Sequence, residues 1–194
     1  MKSKKYDNLA KIYDLIDLPL EWKISKFRKK LLKGLHGKVL EIGLGTGKNL
    51  KHYPSDVSLD AVDASQGMLS IAEKRNKDAR LHRMDAEKLS FNDNSFDAVV
   101  CTLSLCSIEK PLNALREMKR VMKKNGKILL IEHVRSRNKA ISFFQKIASP
   151  VWKLMFGCSL DRDTGKSIEK VGLSIESEKS IFLGDVFRVF ICRK

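Results

Sequence analysis

The 194-residue sequence predicts an α/β domain built on a doubly wound sheet. Three observations carry this expectation. Residues 39–47, Val-Leu-Glu-Ile-Gly-Leu-Gly-Thr-Gly, run from an apolar stretch into glycines at alternate positions, Gly43, Gly45 and Gly47. A buried strand that ends in a turn free of side chains has this form. Twenty residues beyond Gly43, a second apolar run ends in Asp63. An acid at the end of the second strand is how such sheets hold a nucleoside. Apolar runs then alternate with helix-period segments, the rhythm of a parallel sheet covered on both faces.

Taken in order, Ile24, Phe27, Leu31, Leu32 and Leu35 form one stripe of an amphipathic helix over 20–35, with basic residues opposite. Gly34 and Gly37 bracket its end. Strands are expected at 38–42, 58–63, 79–84, 96–101 and 127–134, and helices at 47–52, 65–75 and 111–124. Asn125-Gly126 is expected to stop the last of these helices and turn the chain into the fifth strand. Residues 138–156 are rich in aromatic and aliphatic side chains, including Phe143, Phe144, Ile147 and Trp152, and are interrupted by Pro150. Asp163 or Thr164 caps a short helix ending near Val171-Gly172. Runs at 173–181 and 186–192 lie close enough in sequence to pair antiparallel.

The length suits one domain with a sizeable core. No stretch approaches the roughly 18 apolar residues of a membrane span. The charged opening residues predict no signal peptide. Cys101, Cys106, Cys158 and Cys192 show neither a C-x-x-C pair nor zinc spacing, so no metal site is expected and free thiols in the cytoplasm are. The net charge is +15. Lysines and arginines cluster at 23–38 and 119–127, which is either a solubilising surface or an attraction for anionic lipid or nucleic acid. The clusters lack interleaved aromatics, which weakens the nucleic-acid reading.

Two nucleotide motifs are excluded. The dinucleotide pattern G-x-G-x-x-G needs a glycine where Lys48 stands. The phosphate loop needs a glycine at Ile42 and a hydroxyl residue at Asn49. What remains, G-x-G-x-G after Glu41, resembles motif I of the class I S-adenosylmethionine (SAM)-dependent methyltransferases. The resemblance covers nearly the whole chain. Asp63-Ala64-Ser65-x-x-Met68-Leu69, Arg83-Met84-Asp85-Ala86-Glu87, Phe96-Asp97-Ala98-Val99-Val100 and Arg120-Val121-Met122-Lys123-Lys124-Asn125-Gly126 each look like a family segment. It implies a Rossmann-like seven-stranded sheet, mostly parallel, with an antiparallel C-terminal edge hairpin. It also implies SAM as cofactor and S-adenosylhomocysteine as product.

The resemblance assigns the cofactor site to Tyr13, Glu41, Gly43, Gly45, Gly47, Asn49, Asp63, Ala64, Met68, Asp85, Ala86 and Leu103. Asp63 is expected to accept from both ribose hydroxyls, its alternative role being a helix cap. Met68 lies either against adenine or in the core. Asp85 and Ala86 are expected to read the adenine edge. Tyr6-Asp7-x-x-Ala10-x-x-Tyr13-Asp14 resembles the opening of quinone-biosynthesis and phospholipid-headgroup methyltransferases, where this segment folds over the cofactor. Residues 1–36 are therefore expected to form a helical cap and 37–194 the methyltransferase domain, with 138–157 an insertion on the substrate side.

Thr102-Leu103-Ser104-Leu105-Cys106-Ser107, Glu132-His133-Val134 and Gly157-Cys158-x-Leu160-x-Arg162-x-Thr164 resemble bacterial phosphatidylethanolamine N-methyltransferase relatives and the animal membrane-associated thiol methyltransferases. Both point to a small or lipid-like acceptor, with an amine, thiol or phenolic or quinone target. Tyr6, Cys106, Ser107, Phe144 and Arg162 are the expected substrate residues. His133 is the candidate base, or a structural histidine at a strand end. Glu132 pairs with a cationic acceptor, or with Arg162 or a lysine. The 138–156 segment lines the acceptor pocket, rests on an anionic membrane or covers the sheet. A cytoplasmic monomer or homodimer, peripheral at the membrane, fits this reading.

Three other functions compete. An RNA methyltransferase would use the basic clusters, but the Asn-Pro-Pro-Tyr type of motif is missing where Cys101-Thr102-Leu103-Ser104 stands. An arsenite methyltransferase would need Cys106 and Cys158 to meet. A SAM-binding protein without turnover would keep the same binding motifs.

Overall fold

The computed structural model describes residues 2–16, 18–75 and 78–194. The chain runs α1 (Lys2–Ile16), α2 (Leu18–Leu32), β1 (Lys38–Ile42), a 3-10 turn (Leu50–His52), β2 (Ser58–Asp63), α3 (Gln66–Glu73), β3 (Arg80–Arg83), β4 (Phe96–Thr102) and α4 (Pro111–Val121). It continues through β5 (Met122–His133), α5 (Lys139–Phe156), α6 (Thr164–Lys170), β6 (Ser174–Phe182) and β7 (Phe187–Arg193). The seven strands form one sheet in the order β3-β2-β1-β4-β5-β7-β6. The first five pair in parallel, and β7 pairs antiparallel with both β5 and β6. The strand order reverses between β1 and β4, and a crevice opens at the carboxyl ends of strands at such a point.

Strand alternation divides the core. Leu40, Ile42, Val99, Cys101, Ile128 and Leu130 face α4 and α6, with Leu115, Met118 and Ile168 as partners. Val39, Ala61, Ala98, Val100 and Leu129 face the other way, against Leu32, Leu35, Leu69 and Ala72 of the α2 and α3 side. Parallel strands covered on both faces read as continuous apolar runs, which is why β1, β2, β4 and the second half of β5 were legible in the sequence, whereas β3 (Arg-Leu-His-Arg) is a half-exposed edge strand. Caps set the helix starts. Ser65 Oγ accepts from Met68 N at 3.2 Å, Asn138 Oδ1 from Ala140 N at 3.0 Å and Asp163 Oδ1 from Lys166 N at 3.1 Å.

Several boundaries differ from expectation. The helix expected at 47–52 is only the 3-10 turn, because Gly47 takes φ +83°. The helix expected to reach 124 stops at Val121, and the strand begins at Met122. Asn125-Gly126 therefore ends no helix. It lies within β5, where the register against β4 shifts between Phe96 and Ala98. Pro150 does not interrupt α5. Its missing N–H would have bonded the carbonyl of Lys146, and both residues are exposed.

A Cβ on Gly126 would stand 2.6 Å from Met122 Cγ and 3.0 Å from the carbonyl oxygens of Asp97 and Lys123. At Gly34 it would meet nothing within 4 Å. Gly126→Ala should cost about 1–3 kcal/mol through overpacking, and Gly34→Ala should cost far less. Urea midpoints of the two variants check this, and equal midpoints would remove the packing role given to the β5 bulge.

Candidate active site

A cavity of about 280 Å³ occupies the crevice at the ends of β1, β2 and β4. Gly43 and Gly45 turn through it with φ of +67° and +58°. These angles favour glycine, and a Cβ on Gly43 would also fall 1.8 Å from Ser104 Oγ. Asp63 closes β2 against this turn. Its Oδ2 accepts from Gly45 N and its Oδ1 from Ser65 N, both at 2.8 Å. Burial raises the Asp63 carboxyl above its ordinary value, while these amides lower it and nearby Asp7 raises it again. Ala64, Met68, Asp85, Ala86 and Leu103 line the same space.

The N-terminal helices roof the cavity. Asp7 Oδ1 accepts from Ser65 Oγ at 2.6 Å and Gly67 N at 2.8 Å, which fastens α1 to the start of α3. Asp14 accepts from Thr46 Oγ1 at 2.7 Å and pairs with Arg75 and Lys48. Tyr6 and Tyr13 line the cavity from α1, with ring centres 6.4 Å apart. The Tyr6 hydroxyl lies 2.9 Å from Ser107 Oγ and donates to the carbonyl of Phe156 at 3.0 Å. Burial pushes the phenol up to about 12.

From α2 comes a residue that the sequence reading passed over. Arg28 is buried, lines the cavity and donates to Asn49 Oδ1 at 2.8 Å and Thr102 Oγ1 at 2.7 Å. Its Nε stands 3.2 Å from Glu21 Oε2, without hydrogen-bond alignment. The only sequence signal was an arginine within a lysine cluster. Asn49 continues the network to Glu41 Oε1 at 2.8 Å, and Tyr53 donates to Glu41 Oε2 at 2.9 Å. Glu41, Gly47 and Asn49 thus sit beneath the glycine turn and do not line the cavity. Lys48, Thr46, Ser104, Ile108 and Glu109 do line it, and were not singled out from sequence.

The loop after β4 forms the far wall. Glu132 is fully buried, and its oxygens accept from the amides of Ser104 (3.1 Å), Leu105 (3.0 Å) and Cys106 (3.2 Å). Burial pushes its carboxyl up to about 7 against those donors. It touches neither the cavity nor Arg162, so its place is positioning this loop rather than catalysis. Arg162 gives its guanidinium to the carbonyls of Leu105 and Ile108 and is likewise a loop clamp outside the cavity. His133 packs edge-on against Phe187, with Nδ1 buried and without a hydrogen-bond partner. Burial pulls it down to about 4, and it too lies outside the cavity lining. Cys106 and Cys158 do meet, since Ser159 N donates to the Cys106 carbonyl at 3.1 Å and the two thiols interact. The pair lies beside the cavity, not in its lining. Ser107 lines it, whereas Phe144 is on the outside of α5.

Comparison with known proteins places this arrangement. A methyltransferase domain family matches residues 40–130. The demethylmenaquinone methyltransferase of Thermotoga maritima is 32% identical over 158 residues, covering 75% of this chain and 69% of the relative. The chain belongs to the class I SAM-dependent methyltransferases. The thiol S-methyltransferase TMT1B of Rattus norvegicus is 34% identical over 156 residues, 75% of this chain and 64% of that protein. The chain therefore spans less than two thirds of the thiol methyltransferase's length. A SAM-dependent methyltransferase from Mesorhizobium loti shares the fold, with a TM-score of 0.68 at 15% identity over 89% of this chain and 98% of that one.

The residues present fit SAM, the family's methyl donor. Each Asp63 oxygen accepts one backbone amide and keeps a further lone pair, as two ribose hydroxyls require. A Cβ on Gly45 would meet nothing within 4 Å, so backbone alone faces the open space there. Arg28 and Lys48 bring cations to the wall for the amino-acid carboxylate. Asp63→Ala should weaken SAM binding about tenfold or more, the cost of a hydrogen bond to a charged group, by calorimetry on folded protein. Unchanged affinity would remove Asp63 from the ribose site.

Glu41 supplies a second prediction. Burial pushes its carboxyl from an ordinary 4.5 up to about 7. Between those values the folded protein keeps a proton that the unfolded chain has released, so this residue makes stability fall as pH rises across the window. Glu41→Gln should flatten that slope in urea melts taken at about pH 5 and about pH 7.5. Glu132, pushed to the same value by its own burial, keeps its share of the slope, so a slope left unchanged by the substitution would mean that Glu41 is ionised throughout.

Proposed function

We propose that the chain moves the sulfonium methyl of SAM to a small, lipophilic acceptor that brings its own nucleophile, a thiol being favoured over an amine or a quinone-type carbon. One observation carries the choice. Among the described residues no histidine lines the cavity; the titratable side chains there are carboxylates, the phenols of Tyr13 and of Tyr6, the latter raised to about 12, and the cations Arg28 and Lys48. Carboxylates are weak bases for a thiol proton, and so is an imidazole pulled down to about 4. A thiol ionises appreciably near neutral pH without help. Relatives named for thiol and demethylmenaquinone methylation support the acceptor class.

SAM, when bound, supplies a methyl already activated on sulfur, so that transfer is an in-line displacement with the acceptor proton lost to solvent beforehand. The chain's residues then hold and exclude. Asp63 and the glycine turn fix the nucleoside, and Arg28 and Lys48 take the carboxylate. Leu103, Ser104, Ser107 and Ile108 form the wall on the acceptor side. Tyr6 and Tyr13 on α1 keep water out. Alignment of this kind contributes on the order of 7–11 kcal/mol to such a reaction. Cytoplasmic action as a monomer or homodimer, in peripheral contact with an anionic membrane, completes the proposal.

The pH dependence tests it. With a series of small thiols, kcat/KM should rise with pH up to each acceptor's own pKa, and His133→Asn should leave the profile in place. A common pKa that does not follow the thiol, and that disappears in His133→Asn, would restore a histidine base and sink this reading.

A further inference from the structure

α5 is turned inside out. A helix on a soluble domain buries its apolar stripe, yet the buried residues of α5 are Gln145 and Ser149. Gln145 is fully engaged: Nε2 donates to the carbonyls of Val134 and Leu160 at 3.0 Å, and Oε1 accepts from Ser136 N at 2.8 Å. Ser149 Oγ donates to Asp161 at 2.6 Å and accepts from Leu160 N at 3.1 Å. The helix is thus fastened to the domain by polar bonds. Phe143, Phe144, Ile147, Val151, Leu154 and Met155 point outward, between 57% and 80% exposed. A contiguous apolar face of this kind marks an interaction surface.

Charge selects the partner. Lys139, Lys146 and Lys153 recur every seven residues, two turns apart, and so run in one line along the helix. All three are exposed, and α5 contains no acid. Two copies of a chain carrying +15 repel one another, whereas an anionic bilayer attracts this line of lysines and accepts the apolar face. The helix does not meet the length and apolarity of a membrane span. Its C-terminal end adjoins the cavity, since Lys5 donates to the Leu154 carbonyl and Tyr6 to the Phe156 carbonyl.

We propose that α5 is a bilayer-docking helix that lies flat on an anionic lipid surface, its apolar face in the acyl boundary and its lysine line at the headgroups. The purpose of this docking rests on the lipophilic-acceptor reading, because it sets the Tyr6 side of the cavity beside the lipid.

Flotation of the purified chain with vesicles tests it, using phosphatidylcholine alone and a phosphatidylcholine–phosphatidylglycerol mixture. The chain should float with the mixture and not with phosphatidylcholine alone. Ile147→Glu with Val151→Glu should abolish flotation. Replacing the three lysines by glutamine should weaken it about 100-fold, at about 1 kcal/mol for each lysine. All five positions are exposed, and circular dichroism and melting temperature measured on the same samples report that the variants are folded, while calorimetry reports SAM affinity separately. Lack of flotation with the mixture, equal flotation with both vesicles, or flotation indifferent to the α5 variants would each overturn the proposal. So would a dimer in light scattering that Ile147→Glu dissociates, which would assign the face to a second copy. Flotation needs neither SAM nor acceptor, so failure to bind SAM would remove the methyltransferase reading and leave this one standing.

Discussion

The acceptor side of this domain depends on one buried carboxylate. Glu132 sits near the end of β5 and gathers three successive amides of the loop after β4. That loop holds Leu103 at φ +53°, a conformation costing a leucine about 1–3 kcal/mol, which persists only where the surroundings impose it. Two restraints impose it: the Glu132 carboxylate at one end, and the bond from Leu103 N to the Ile131 carbonyl at 2.7 Å. The consequences spread outward. Ser104 is pressed to where a Cβ on Gly43 would stand, so that position in the turn after the neighbouring strand must be glycine. The loop's carbonyls at Leu105 and Ile108 are answered by Arg162. A wall without regular structure is held by an acid for its donors and a base for its acceptors.

The roof is held by different means. Asp7 and Asp14 reach down from α1 to hydroxyls, amides and cations of the domain beneath. Asp7 also stands near enough to Asp63 to raise its carboxyl. Closing α1 over the cavity therefore presses like charge on the residue that faces the ribose. Hydroxyl donors on a bound nucleoside would relieve that pressure.

What the sequence revealed, and what it hid, follow from what each signal measures. Strands buried on both faces wrote themselves as apolar runs, and Gly43, Gly45 and Asp63 wrote the crevice, because those positions admit few other residues. Asn125-Gly126 misled because the dipeptide marks a turn and cannot say whether that turn ends a helix or bulges a strand. Glu132 and His133 stood at the end of the right strand, but adjacency in sequence says nothing of which way a side chain points. Arg28 was hidden among lysines that look alike in composition, although this arginine is buried and the lysines of α2 are exposed. The aromatic content of α5 was plain, yet its direction was not. Only the bonds of Gln145 and Ser149 reveal that the polar stripe is the inner one.

The Arg28 network shows why roof and sheet act as one body. Guanidinium, amide, hydroxyl and carboxylate run from α2 through Asn49 and Thr102 to Glu41 on β1. Leaving a buried polar group without a partner is costly, and a shift of α2 on the sheet would orphan several of them at once. The helix that brings a cation to the cavity is thereby fixed to the strand that carries the glycine turn. The α1 contacts are separate and closer to the surface, since Asp14 and Arg75 are both partly exposed. The two helices thus divide the roof: α2 is fixed to the sheet through Arg28, and α1 through Asp7 and Asp14 to the segments that carry the glycine turn and the start of α3.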